Sequence, residues 1–230
     1  MAFMTVPHRI LLVMLLLGIS VVATQARAAG GAQTVDDAAV ETPGHCHLEN
    51  WAARTGRGDL QLNSGIGCTT TAVPRLEFDL AVQYNRTDRV GDTTVIPGLK
   101  FAAVDFGHGV SLAIEGNVTW GTLADRIETT DLIVPLMIQL RPDLQMSLNL
   151  GWEWNRTGVA HRAFYGAQFM WLVDSNVSLM VEGFGYSDGV AGYQAGVRWT
   201  PVAWLDLDLL AGRLDNVSRH VLTAGVTGRF

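Results

Sequence analysis

The sequence predicts an all-β fold, a closed antiparallel transmembrane β-barrel of about 12 strands. Three observations carry that expectation. The stretch LQMSLNLGWEWN, residues 144–155, alternates without a break. Leu144, Met146, Leu148, Leu150, Trp152 and Trp154 fall on one face, and Gln145, Ser147, Asn149, Gly151 and Glu153 on the other. That is the period of a strand with one apolar and one polar side. Similar segments recur from His45 to the C-terminus, and none has the i, i+3, i+4 spacing of an amphipathic helix. Finally, the chain opens on an export signal and is poor in charge. Charged residues make up 17% of it against a usual ~25%, and Lys100 is its one lysine. A water-facing exterior is hard to build from such a composition.

Residues 1–28 read as a secretory signal peptide. His8 and Arg9 precede the apolar run Ile10 to Ala23, and Ala26-Arg27-Ala28 forms an A-x-A cleavage site. The run is shorter than the ~20 residues of a membrane helix, and an uncleaved signal anchor is the alternative. No later segment reaches 18 uninterrupted apolar residues, which excludes helical spans. Residues 29–44, AGGAQTVDDAAVETPG, are small and polar without periodicity, and are expected to be a flexible N-terminal segment.

The barrel is expected over 45–230. Segments 46–54 and 60–69 flank RTGRG, a glycine-rich hairpin. Segment 75–86 sets Leu76, Phe78, Leu80, Val82 and Tyr84 against Glu77, Asp79 and Gln83. Segment 94–104 carries Lys100 on its polar face. Segment 109–120 sets Val110, Leu112, Ile114, Val118 and Trp120 against Ser111, Glu115 and Asn117. Segments 131–141 and 144–155 meet at a tight turn. Segments 161–173 and 176–187 place Gln168, Ser178 and Glu182 on the polar face. Segment 191–200 sets Tyr193, Ala195, Val197 and Trp199 against Gln194 and Arg198. Segment 205–214 alternates Leu205, Leu207 and Leu209 with Asp206 and Asp208. Segment 220–230 alternates Leu222, Ala224, Val226, Gly228 and Phe230 with Thr223, Thr227 and Arg229. Each is about long enough to cross a bilayer as a tilted strand of ~9–11 residues. Turns alternate between short and longer, more polar ones, as in outer-membrane barrels whose short turns face the periplasm.

Aromatic residues decide which face meets lipid. Trp120, Trp152 and Trp154 fall at one rim, and Trp171, Trp199, Trp204 and Phe230 at the other. Two girdles at the lipid–water boundaries suit amphipathic rings. The apolar face is therefore expected outside, in outer-membrane lipid, with the polar face lining a lumen.

The expected lumen network is Glu77, Asp79, Lys100, Glu115, Glu153, Glu182, Arg198, Asp206, Asp208 and Arg229. Hairpin symmetry sets Lys100 opposite Glu115 and Glu153 opposite Arg162. It also allows Glu182 near Arg198, Arg198 near Asp206, and Asp206 near Arg229. Opposite charges across a strand pair stabilise by ~0.2–1 kcal/mol. Either they form a packed plug that holds the barrel round, or they form a selectivity constriction on a solute path. Acids outnumber bases on this face, so an aqueous leak is expected to favour cations. The same symmetry sets Cys46 opposite Cys68, within disulfide reach in the oxidising compartment that export implies. It also sets Asn50 opposite Ser64 on the apolar face, which has no evident reason.

Other chemistries find little support. Without the first 28 residues, 14 basic and 22 acidic side chains give a formal charge of −8. That speaks against a nucleic-acid partner. In His45-Cys46-His47 only the two histidines share a strand face, short of the four ligands of a closed site, so no metal is expected. No cofactor motif and no G-x-S-x-G or H-E-x-x-H is present, and no serine falls beside a histidine in a trustworthy register. The expectation is a non-enzyme.

The closing residues HVLTAGVTGRF, with Phe230 last, resemble the C-terminal signal read by the bacterial barrel assembly machinery, which implies that machinery as a partner. TPGHCHLENW, PRLEFDLAVQYN, PGLKFAAV, VSLAIEGN and PVAWLDLDLLAGRL, spread over about residues 43–230, resemble the barrel family named for the MetA pathway of phenol degradation. Its members are commonly labelled transporters. The resemblance implies an outer-membrane channel for passive uptake of small solutes, apolar or aromatic compounds among them. A non-transporting structural or surface-interaction barrel with a plugged polar lumen is the alternative.

Overall fold

The structure is a computed structural model, and it describes residues 32–56, 58–87, 90–156, 160–214 and 219–230. The expected signal peptide lies outside the described residues. Twelve strands follow in order: β1 His45–Thr55, β2 Leu60–Thr69, β3 Leu76–Thr87, β4 Val90–Gly107, β5 Val110–Gly121, β6 Arg126–Arg141, β7 Leu144–Asn155, β8 Arg162–Asp174, β9 Val177–Tyr186, β10 Ala191–Val202, β11 Leu205–Leu214 and β12 Arg219–Arg229. Each pairs antiparallel with its sequence neighbours, and β1 pairs with β12, which closes the sheet into a barrel. Closure leaves no unpaired edge and satisfies the backbone groups that lipid cannot.

Side chains sort by parity as the alternation requires. In β7, Ser147 and Asn149 are buried while Leu150 is 69% exposed. In β3, Glu77 is buried while Phe78, Leu80 and Val82 are exposed. Buried polar and exposed apolar side chains invert the order of a water-soluble protein. They require a hydrocarbon exterior, and this is the architecture of a bacterial outer-membrane barrel. Trp120, Trp152, Trp154, Trp171, Trp199, Trp204 and Phe230 all face outward, at strand ends or in turns.

Two strands run longer than expected. β3 and β4 stay paired to Thr87↔Val90, in the interval that the expected segments 75–86 and 94–104 leave between them. β6 begins at Arg126 instead of 131. Both added stretches are rich in Val, Ile and Thr, which favour a pleated surface over an open loop. Prolines mark the local irregularities. Pro97 pairs with Leu80 on β3 but falls in a gap of the β4–β5 ladder, and Pro135 falls in a gap of the β5–β6 ladder. Each lacks the N–H that a ladder needs.

The Cys46 and Cys68 positions are register partners, and their sulfurs form a disulfide with Cα atoms 4.1 Å apart. Asn50 and Ser64 also pair as expected, and the structure offers no reason for them on the lipid face.

Candidate functional site

Residues 32–41 of the stretch expected as a flexible segment lie inside the barrel, and the exposed Thr42, Pro43 and Gly44 lead from it into β1. Val35 is fully buried, and Asp37 and Glu41 are almost so. The segment bonds with residues of β3, β4, β7, β8, β9, β10 and β12. Partners on so many sides of a closed wall place it within the lumen. It adds no strand to the sheet. Its backbone groups turn instead to side chains, those of the wall for Thr34, Val35, Asp36 and Glu41 and the plug's own Asp36 and Asp37 carboxylates for Asp37 and Ala39, as buried polar groups must.

At the Asp36 level, the Asn149 side chain acts as a one-residue ladder. Its Nδ2 donates to the Asp36 carbonyl at 2.8 Å, and its Oδ1 accepts the Asp36 N–H at 2.8 Å. Glu182 takes the next residues. It accepts the N–H groups of Thr34 at 2.8 Å and Val35 at 3.0 Å, and the amides of Gln168 at 3.0 Å and Gln194 at 2.6 Å. Those four donors hold the buried carboxylate without a cation, since its register partner on β10 is Gln194 and Arg198 lies opposite Ser178. The expected Glu182–Arg198 pair is therefore corrected. Glu182 is served by the plug.

Lys100 does stand opposite Glu115 as expected, but the plug takes its charge. The ladder does set it between Glu77 and Glu115. Its ammonium nevertheless bonds to Asp36 at 2.8 Å and lies 3.8 Å from Asp37. Glu115 accepts instead from the Asn117 amide at 2.9 Å. The plug's acids offer Lys100 a closer carboxylate than its own strand neighbours do.

The remaining expected pairs form. Arg162 clasps Glu153 through two bonds, 2.9 and 3.1 Å, and reaches Asp188 at 3.2 Å. Its guanidinium also lies 3.8 Å from the centroid of Tyr186, a favourable cation–π placement. Tyr186 in turn packs on Phe164 at 5.2 Å between centroids. Arg198 is opposite Asp208 and bonds to both its oxygens at 2.8 Å, with Asp206 at 4.0 Å. Arg229 reaches Asp206 at 2.6 Å and the plug's Glu41 at 3.6 Å. Asp79 faces a small cavity of about 160 Å³ lined also by Asp36, His47, Glu49, Glu77, Lys100, Glu115 and Asn117.

Two apolar patches grip the plug where it carries alanine. Ala38 packs on Ala113 and Met137. Ala32 packs with Met180 and Leu210, with Trp51 and Met170 beside them. Sequence reasoning missed Trp51, His47, Glu49 and Asp131 as lumen residues. Parity on β1 and β6 was the available clue. It also missed Asp36, Asp37 and Glu41, whose clue was the surplus of polar wall residues without a partner across their own hairpins.

The arrangement is thus a wall of carboxylates, amides and a few cations closed around a strap of the same chain. Among the described residues no serine hydroxyl is hydrogen-bonded to a histidine, the pairing that a serine hydrolase needs.

No curated protein matches the sequence. Solved structures do share the fold. The KdgM porin superposes with a TM-score of 0.66 at 7% identity, covering 80% of this chain and 99% of that one. The COG4313 outer membrane channel from Pseudomonas putida F1 gives 0.60 at 15% identity, covering 84% and 97%. Outer membrane phospholipase A from Escherichia coli gives 0.53 at 11%, covering 80% and 92%. A porin, a channel and an enzyme on one architecture show the fold and leave the activity to the site. A family model does match nearly the whole sequence, residues 17–230, and by that match the chain belongs to the family described as Uncharacterised conserved protein UCP029691.

Proposed function

We propose that this protein is an outer-membrane channel for small solutes, held closed by its own N-terminal segment. One observation carries the reading. Residues 32–41 fill the lumen through contacts to wall side chains, while the twelve-strand ladder closes without them. A wall that is complete without its plug can lose the plug and remain a barrel. The likeness to a porin and a channel supports the same reading. Export by residues 1–28, assembly through Phe230 and a non-enzymatic role complete it.

Once the strap leaves, Glu77, Asp79, Glu115, Glu182 and Asp208 face water with Lys100, Arg198 and Arg229 as the nearby cations. That balance favours cationic over anionic solutes. Aromatic compounds are the substrates the motif resemblance suggests, and the inward rings of Phe164 and Tyr186 offer them a stacking surface. The second reading, a non-transporting barrel, is favoured by the full pairing of Arg198 with Asp208. Swelling of proteoliposomes in isotonic small-solute solutions separates the two. The channel reading expects a chain lacking residues 32–41 to swell several-fold faster than the intact chain. A folded deletion variant that admits nothing would leave the structural reading.

A further inference from the structure

We propose that His47, Glu77 and Asp79 form a binding site for a divalent transition-metal cation on the lumen wall. The inference does not depend on whether the barrel conducts.

His47 lies on β1 and the two acids on β3, separated by β2. Gly67 is the register partner of both His47 and Asp79. A methyl group at Gly67 would collide with the His47 ring and the Asp79 carboxylate alike. The missing side chain lets the two meet over the intervening strand. Glu77, two residues along β3, points to the same side. One ligand atom from each of the three lies within 4.8 Å of the others.

His47 has no partner of its own among the described residues. It is 7% exposed. No hydrogen bond engages its ring among the described residues, and it is turned toward both carboxylates. The ring lines the cavity, so its nitrogens have capacity left for a ligand that enters there. Glu77 keeps one oxygen available, since the Glu41 N–H takes the other at 2.5 Å. The cavity in front of them, about 160 Å³, has room for the water that would complete the coordination. Five carboxylates line it (Asp36, Glu49, Glu77, Asp79 and Glu115) against the ammonium of Lys100. A dication there offsets charge that the wall leaves in excess.

One imidazole and two carboxylates with open positions suit Zn²⁺, Mn²⁺, Fe²⁺ or Co²⁺ better than Mg²⁺ or Ca²⁺, which prefer all-oxygen shells. Metal–ligand bonds of ~2.1 Å set tetrahedral donors ~3.4 Å apart, so the side chains close in by small rotations.

The test is calorimetric titration of the chelator-stripped, intact mature chain in detergent with ZnCl₂, and separately with MgCl₂ and CaCl₂. One Zn²⁺ per barrel is expected, bound at least tenfold more tightly than Mg²⁺ or Ca²⁺. His47→Ala and Asp79→Asn should each weaken Zn²⁺ by more than about tenfold, since even outer-shell changes cost 10–100-fold. His45→Ala and His220→Ala should leave it unchanged. Heat-modifiable migration reports whether each variant folds. Should His47→Ala fail to fold, Co²⁺ added to the intact chain decides. Visible d–d bands of a low-coordinate nitrogen–oxygen site support the assignment. A spectrum like aqueous Co²⁺, absence of saturable Zn²⁺ binding, or Zn²⁺ binding indifferent to His47→Ala overturns it.

Discussion

The Lys100 ammonium sits 2.8 Å from the Asp36 carboxylate, although the β-ladder places Glu115 directly across from Lys100. The chain's one lysine is thus given to the segment that closes the lumen and not to its own hairpin. Lys100 is buried and Asp36 only partly exposed, and the buried Asp37 stands close by. A buried pair broken on one side leaves an uncompensated charge, which typically costs ~3–5 kcal/mol.

Lys100→Met should therefore release the plug. A loss of about 3 kcal/mol raises the open fraction roughly a hundredfold. Limited digestion with a broad-specificity protease, followed by mass spectrometry, checks this. Cleavage within residues 32–44 should accelerate while the strands stay intact. Unchanged protection would show that Asn149 and Glu182 hold the segment by themselves.

Leu150→Arg tests the lipid-facing assignment. Leu150 is exposed on the middle of β7. A guanidinium at the bilayer midplane costs ~2–4 kcal/mol in an outer-membrane barrel. Urea unfolding from lipid vesicles should show a loss of that order. Leu123→Arg, in the turn after β5, should show almost none. Equal effects would mean that Leu150 does not face hydrocarbon.

The disulfide ties β1 to β2 at the end where the plug enters. Its cysteines are 22 residues apart, and closing a loop of that length is worth about 3 kcal/mol in the chain-entropy model. A Cys46→Ser, Cys68→Ser chain should unfold at lower urea by a comparable amount. A midpoint equal to that of the parent chain would mean that the closed ladder alone fixes this hairpin.

Much of the barrel was legible because a strand announces itself by period two. The even set Leu144 to Trp154 needs no tertiary information, and hairpin symmetry alone placed Cys46 on Cys68 and Glu153 on Arg162. What the strands do to one another is local in sequence. The plug is not. Val35 meets Glu182 across 147 residues and Asp36 meets Asn149 across 113. A segment whose backbone is satisfied by side chains has no periodicity to betray it, so AGGAQTVDDAAVETPG reads like a linker. The unmatched wall groups were the legible half. Glu182, expected near Arg198, has amides and no base directly across both hairpins, and a buried carboxylate must find donors somewhere. The His47, Glu77 and Asp79 trio was hidden for another reason. It spans β2, and its cause is the side chain that Gly67 lacks.

Whether residues 32–41 keep the lumen from conducting can be tested at one contact. Val35 lies against Gly166 of β8, so close that a side chain at 166 would touch it. A Val35→Cys, Gly166→Cys chain can therefore be locked by oxidation, with Val35→Cys alone as the control for the reductant. In planar bilayers the oxidised double variant should be silent, reduction should restore only the occasional openings of the intact chain, and a chain without residues 32–41 should conduct steadily. A locked barrel that conducts as freely as the shortened chain would show that the segment does not close the lumen.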